Sequence, residues 1–301
     1  CGFINTLAFG SECADISLLS GAADYLLTDG FSSDVEEKMR ADRSLGFARA
    51  RSAVLSEKVG INLTQPNDIL GVEYIKALKK LRADGISPIA LPRTGAPHNG
   101  TFSSEDGTAS ASYIRRAIHE GNTGEVLRYA TPETAKMLSH TVTVYVDMLF
   151  RLTAAAILSH GTDGLSKIAE IPSGLEHSLY DAAFRAESFG ELFDAVRAKH
   201  ITDTKVRRML LFALTGVTKD EATSLPLYTR VLASNDEGYR LLKLAKSTVA
   251  DGFTLISGAK HLANAPLAAK RQFERNAAAE RLLSLFTQGA YGKTVKKEML
   301  L

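Results

Sequence analysis

Hydrophobic and polar positions along the first 118 or so residues alternate between two periods. A short apolar run, Ile4–Phe9, reads as a strand that ends at Gly10-Ser11-Glu12. Ile16, Leu19, Ala23 and Leu26 then recur at helical spacing on one face. Ser33 with Glu36 three residues on has the form of a capping box, and Val35, Met39, Phe47, Val54 and Leu55 continue the helical pattern. Asn67 or Asp68 is placed to cap a helix carrying Ile69, Val72, Ile75, Leu78 and Leu81. Ile86–Leu91 reads as a second strand, and Pro88 within it predicts an edge or bent strand. Ser110 or Ser112 opens a helix with Ile114 and Ile118. Alternation of this kind predicts an α/β fold, a mostly parallel sheet covered by helices.

Beyond about residue 120 the pattern becomes nearly continuous helix. Glu120–Gly124 reads as a junction, which predicts domains at 1–119 and 120–301. Thr131-Pro132-Glu133 has proline at a helix's first turn. Further helices are expected at Val142–Leu158, Leu175–Arg185, Phe189–Arg197, Lys205–Leu214, Ser247–Leu262 and Leu267–Phe286, so the second domain is expected to be all-α. No internal repeat is evident.

Composition narrows the class. With 45% hydrophobic and 23% charged residues, the chain is that of a globular protein with a proper core. A net charge of +2 excludes a polybasic nucleic-acid coat, so any basic surface is local. Two cysteines, Cys1 and Cys13, make neither a disulfide framework nor a zinc cluster, and reduced thiols in a cytoplasmic protein are the simple reading. No apolar run approaches the roughly 20 residues of a membrane helix. The chain opens on Cys rather than Met and enters a strand at once, without the form of a signal peptide, which reads as a fragment lacking its N-terminal part.

Candidate chemistry gathers between Gln65 and Arg116. Gly10-Ser11-Glu12 sits at the carboxyl end of a strand, where open α/β sheets bind ligands, although taken alone it reads first as an ordinary strand-to-helix turn. Asn67-Asp68 is able to bind a ribose or base edge, or to cap its helix, and the two roles are compatible. Arg93, after the second strand, offers a planar fork to phosphate or is a plain surface arginine. Ser110-Ala111-Ser112-Tyr113-Ile114-Arg115 puts hydroxyls and free N–H groups at a helix start, with Arg115 where the helix dipole disfavours a cation unless an anion is near. His98, in the long polar stretch Thr94 to Thr108, has no second ligand at metal spacing and reads as a loop histidine. No metal site, Walker loop or Gly-x-Ser-x-Gly elbow is present. In the helical half, Arg197, Lys199, His200, Lys205, Arg207 and Arg208 form the densest basic cluster. Lys260, His261, Lys270, Arg271, Arg275 and Arg281 form a second, and Lys293, Lys296 and Lys297 close the chain. Such clusters suit an RNA backbone or are solvated helix faces.

Gln65-Pro66-Asn67-Asp68-Ile69-Leu70-Gly71, Pro92-Arg93 and the Ser110–Arg115 run resemble the bacterial tRNA(Met) cytidine acetate ligases, a branch of the HIGH nucleotidyltransferase superfamily. Phe9–Glu12, Leu45–Arg51, Ser173–Glu176, Thr204–Leu211 and Tyr228–Leu232 resemble the same family in the same order. The resemblance implies half of a Rossmann-like domain followed by a helical tRNA-binding domain. It implies an enzyme that uses ATP, with Mg2+, to activate acetate as acetyl-adenylate. The acetyl group then passes to the wobble cytidine of elongator tRNA(Met), giving N4-acetylcytidine. Gly10, Asn67 and Arg93, with Thr94 adjacent, match positions expected to contact ATP; Ser112 and Arg115 match the phosphate-side helix start; Lys205, Arg207 and Arg208 fall in the tRNA-binding region. The family's His-x-Gly-His signature is absent from these residues, so no catalytic residue is assigned and the chain alone is not expected to acetylate tRNA. Asp68 stands where the family more often has Asn. A non-catalytic tRNA-binding remnant and a small-molecule adenylyltransferase of the same superfamily are the alternatives.

Overall fold

The computed structural model describes residues 4–93, 108–138, 143–197, 201–285 and 287–288. It forms two compact units, Cys1–Pro132 and Glu133–Leu301.

The first unit opens with β1 (Thr6–Ser11), then α1 (Ile16–Tyr25), α2 (Gly30–Ala41), α3 (Phe47–Val59) and α4 (Pro66–Lys80) before β2 (Ser87–Pro92). The two strands pair in parallel, Thr6 opposite Ser87 through Ser11 opposite Pro92. A parallel pair needs a crossover connection, and the four helices supply it. Burial along β1 follows the strand period: Leu7, Phe9 and Ser11 turn toward the helices, while Thr6, Ala8 and Gly10 face outward. Phe9 joins Leu19, Ala22, Ala23, Leu55, Ile61, Leu63, Val72 and Ile75 in one core. Gly71 lets α4 approach β1: a Cβ there would meet the Phe9 ring at 2.3 Å. The strand lies two residues later at each end than its apolar pattern suggests, and the Arg93 N–H to the Ser11 carbonyl (3.0 Å) carries the ladder to its far end.

Two capping expectations are corrected. Ser33 and Glu36 lie inside α2, whose N-cap is Asp29 with no side-chain cap bond, because the helix starts earlier, at Gly30. Asn67 and Asp68 do not cap α4. Gln65 is its N-cap and Pro66 fills N1, where proline's missing N–H costs nothing. Both side chains are released for other partners. The second strand, β2, pairs with β1 as read, and Ser110 caps α5 (Ala111–His119) by accepting from the Tyr113 N–H at 3.1 Å. α6 (Thr123–Tyr129) packs back on α5, Tyr113 and Tyr129 meeting edge to face at 5.7 Å. The first unit therefore runs on to Pro132, past the boundary read at 119/120.

After α7 (Pro132–Leu138) and the short β3 (Thr143–Val144), the second unit is largely helical: α8 (Val146–Leu165), α9 (Glu176–Arg185), α10 (Phe189–Val196) and α11 (Asp203–Thr215). Phe150, Ile157, Leu165, Leu179, Leu192, Val206, Met209 and Leu210 form their common core. α12 (Lys219–Thr223) starts with a complete capping box from Thr218 and Glu221. Then come β4 (Tyr228–Arg230), α13 (Asp236–Thr248), β5 (Thr254–Ile256), α14 (Ala259–Asn264), α15 (Leu267–Leu285) and β6 (Thr287–Gln288). The single helix expected over Ser247–Leu262 is not formed. α13 ends at Thr248, and β5 pairs in parallel with β4, burying Ile256. β3 and β6 add an antiparallel pair. These strands are only two or three residues long, too short to leave a period in the sequence.

Candidate nucleotide-binding site

The carboxyl end of β1 is where the first unit's polar groups converge. The chain leaves the strand through Ser11, fully buried, and passes Ala14 at φ +51 before Asp15 caps α1. The N-terminal turn of α4 comes alongside. Asp68, 4% exposed, takes three donors on one carboxylate oxygen: Ser11 Oγ at 2.5 Å, Glu12 N–H at 2.9 Å and Cys13 N–H at 3.2 Å. The Ser11 hydroxyl in turn accepts from Ala14 N–H at 2.9 Å. A buried carboxylate is tolerated when its lone pairs are filled, and this one locks the turn after β1 to α4.

The locked turn aims Glu12. Asn67 Nδ2 donates to its Oε1 at 2.7 Å, the Asp68 N–H donates to its Oε2 at 3.2 Å, and Arg93 Nη1 reaches its Oε1 at 3.3 Å. One anionic group thus gathers an amide and an N-terminal N–H from α4 and a guanidinium from just after β2. That set of donors is the kind that binds a phosphate, a carboxylate or a ribose hydroxyl. Gly10, just before, is exposed, and a Cβ on it would meet nothing within 4 Å, so packing does not demand a glycine there.

Asn67 and Arg93, chosen from sequence, are therefore brought together, with Gly10 beside them in β1. Ser112 and Arg115 lie in the first turns of α5 and bond each other, Arg115 Nη2 to Ser112 Oγ at 3.1 Å. Thr94 and His98 lie outside the described residues, as do Lys199, His200, Lys293, Lys296 and Lys297. Sequence reasoning missed Glu12 as the organiser and read Asp68 as a cap of its own helix or a ligand contact, whereas it holds the turn after β1. The signal for Glu12 was its place directly after the strand end, in the turn already noted. In the second unit, Lys205, Arg207 and Arg208 share α11. Arg207 lies over the Phe193 ring at 5.6 Å, and Arg208 is tied to Glu170 by two contacts of 3.3 Å. Arg275, from the second basic group, holds Glu221 at 2.8 Å and the Thr215 carbonyl at 3.2 Å, which is a structural role. Among the described residues, no group of three or more His, Cys, Asp or Glu is placed to hold a metal ion, and no helix is long and apolar enough to cross a membrane.

The chain belongs to the HIGH Nucleotidyl Transferase family, whose match covers residues 1–298. It is 30% identical over 260 residues to the tRNA(Met) cytidine acetate ligase of Clostridium perfringens (strain ATCC 13124), a match covering 81% of this chain and 64% of that protein. It is 30% identical over 279 residues to the protein of the same name from Anoxybacillus flavithermus, covering 88% and 68%. The chain thus spans less than two thirds of the length of the Clostridium relative. Its fold matches the crystal structure of Thermotoga maritima TmcAL bound with alpha-thio ATP, with a TM-score of 0.75 at 24% identity, over 95% of this chain and 72% of that one.

Proposed function

We propose that this chain carries the nucleotide-holding wall and the RNA-contacting helices of an ATP-dependent tRNA(Met) cytidine acetate ligase. The observation that carries the reading is the convergence of Asn67, the Asp68 N–H and Arg93 on the Glu12 carboxylate at the end of β1. Oxygens of ATP would meet the same donors there, with Gly10 leaving room for close approach. Ser112 and Arg115 supply a second phosphate contact, with Thr94 beside Arg93. Mg2+ would arrive with the triphosphate, whose own oxygens are its natural ligands.

In the reaction, an acetate oxygen attacks the α-phosphorus of ATP, and pyrophosphate leaves to give acetyl-adenylate. The exocyclic amine of the wobble cytidine then attacks the acetyl carbon, AMP leaves, and the amine loses a proton to become N4-acetylcytidine. The first step needs charge stabilisation and alignment more than covalent help, which is what fixed donors and a guanidinium offer. A His-x-Gly-His run does not occur in these 301 residues, so the contacts assigned here are those that hold the nucleotide. We assign RNA contact to the helical unit, through Lys205, Arg207 and Arg208 on α11, and place the enzyme in the cytoplasm with its tRNA.

Deleting the gene and analysing nucleosides from purified elongator tRNA(Met) by mass spectrometry tests the reading. N4-acetylcytidine is expected to disappear and to return on complementation. An unchanged level would overturn the assignment.

A further inference from the structure

Two carboxylates meet at the end of β1, and they are held in different ways. Asp68 is buried, and two of its three donors are backbone N–H groups of the turn, so it is fixed for as long as the turn is. Glu12 ends a side chain that keeps 22% of its surface in solvent. Its carboxylate has one bond of ordinary length, 2.7 Å from Asn67 Nδ2, and two long ones, 3.2 Å from the Asp68 N–H and 3.3 Å from Arg93 Nη1. The Glu12 main chain is anchored separately, its N–H donating to Asp68 Oδ1 at 2.9 Å. The carboxylate can therefore swing outward by side-chain rotation without undoing the turn. Glu12 and Asp68 stand against the single guanidinium of Arg93 in this cluster. A phosphate brought to Asn67, the Asp68 N–H and Arg93 while Glu12 still held them would lie against a carboxylate, and like charges at contact repel. These donors serve one anion at a time.

We propose that Glu12 is an internal competitor for a nucleotide phosphate: its carboxylate and one anionic phosphate oxygen exchange on the donor set of Asn67, the Asp68 N–H and Arg93. The inference rests on the nucleotide reading above and adds that the site has a closed form, held by one of its own residues. Glu12 thereby selects a charged nucleotide over a neutral nucleoside, which brings no anion to exchange. It also weakens the apparent affinity in proportion to the fraction of molecules that are closed. With about nine molecules in ten closed, the weakening is about tenfold.

The test titrates ATP and, separately, adenosine into the 301-residue chain and its Glu12→Ala and Glu12→Gln variants by calorimetry. Glu12→Ala is expected to bind ATP about tenfold more tightly than the wild-type chain, the gain set by the closed fraction. Adenosine is expected to gain nothing, because it has no phosphate to take the released donors. Glu12→Gln keeps the side chain's length and one accepting oxygen without the charge, and its ATP affinity should fall between the two. Should Glu12→Ala lose its helical circular dichroism, Glu12→Gln decides. ATP affinity unchanged or weakened in a folded Glu12 variant would overturn the proposal, weaker binding showing that Glu12 positions Asn67 and Arg93 instead of competing for them. An equal gain for adenosine would overturn it too, since the donors would then serve the nucleoside. Asn67→Ala and Arg93→Ala separate this outcome from the nucleotide reading. If they weaken ATP binding while Glu12→Ala leaves it unchanged, the competition alone is refuted; if neither moves it, both are.

Discussion

Asp68 explains its own identity. A carboxylate can only accept, and its Oδ1 takes the buried Ser11 hydroxyl and the half-buried N–H groups of Glu12 and Cys13. The carbonyl oxygen of an asparagine would take the same three, so the two residues are interchangeable at that oxygen. Asp68→Ala leaves the buried Ser11 hydroxyl and two half-buried N–H groups without their acceptor and is expected to cost about 1–3 kcal/mol, by the penalty for unsatisfied buried groups. Asp68→Asn is expected to retain most of that stability, which urea unfolding measures; equal losses in both variants would refute the role given to Oδ1. Tyr25 makes a second residue-level case. Its hydroxyl donates to Asp34, and that bond, with burial and the Asp34 charge, pushes its pKa from 10.0 up to about 12. The folded pKa lies above the unfolded one, so the contribution to stability is complete below pH 10 and is lost as pH rises toward 12. A spectrophotometric titration should show one tyrosine ionising last, and Tyr25→Phe should delete that step. A Tyr25→Phe curve that keeps it would show the bond is not formed.

At the scale of elements, the Gln65–Gly71 motif does three jobs in one helical start. Pro66 begins α4, Asn67 and Asp68 reach over to the end of β1, and Gly71 admits the Phe9 ring. Gly71→Ala puts a methyl into that ring with no flexible neighbour to yield, since Phe9 is held between α4 and the core. It is expected to destabilise the chain by about 1–3 kcal/mol, the usual cost of overpacking, in spite of alanine's better helix propensity. A raised melting temperature would contradict the close approach of α4 to β1. Much of this was legible in sequence. Leu19, Ala23, Val72 and Ile75 recur at helical spacing because one face of each helix is buried, and that regularity located α1 and α4. The motif's residues were legible as polar groups at element ends. Their division of labour was not, because a side chain that caps its own helix and one that reaches a strand 55 residues away have the same local sequence signal. β5 escaped for a different reason: three residues paired to β4 by tertiary contact carry no period of their own, and the flanking helices overwrote it.

For the whole molecule, the nucleotide reading belongs to the first unit and the RNA reading to the second. The basic residues of the second unit sort themselves by partner. Arg275 and Arg208 are committed to Glu221 and Glu170, so of the cations named from sequence they are the less available for RNA. Lys205 and Arg207, on the same helix, are the ones on which the reading mainly depends. The central claim, however, concerns the end of β1, where α4 and the residue after β2 bring donors to one carboxylate. Isothermal titration of ATP into the wild-type chain and into Asn67→Ala and Arg93→Ala tests it most directly. The account predicts that each variant binds ATP at least tenfold more weakly while keeping its fold by circular dichroism. ATP affinity unchanged in both folded variants would contradict it.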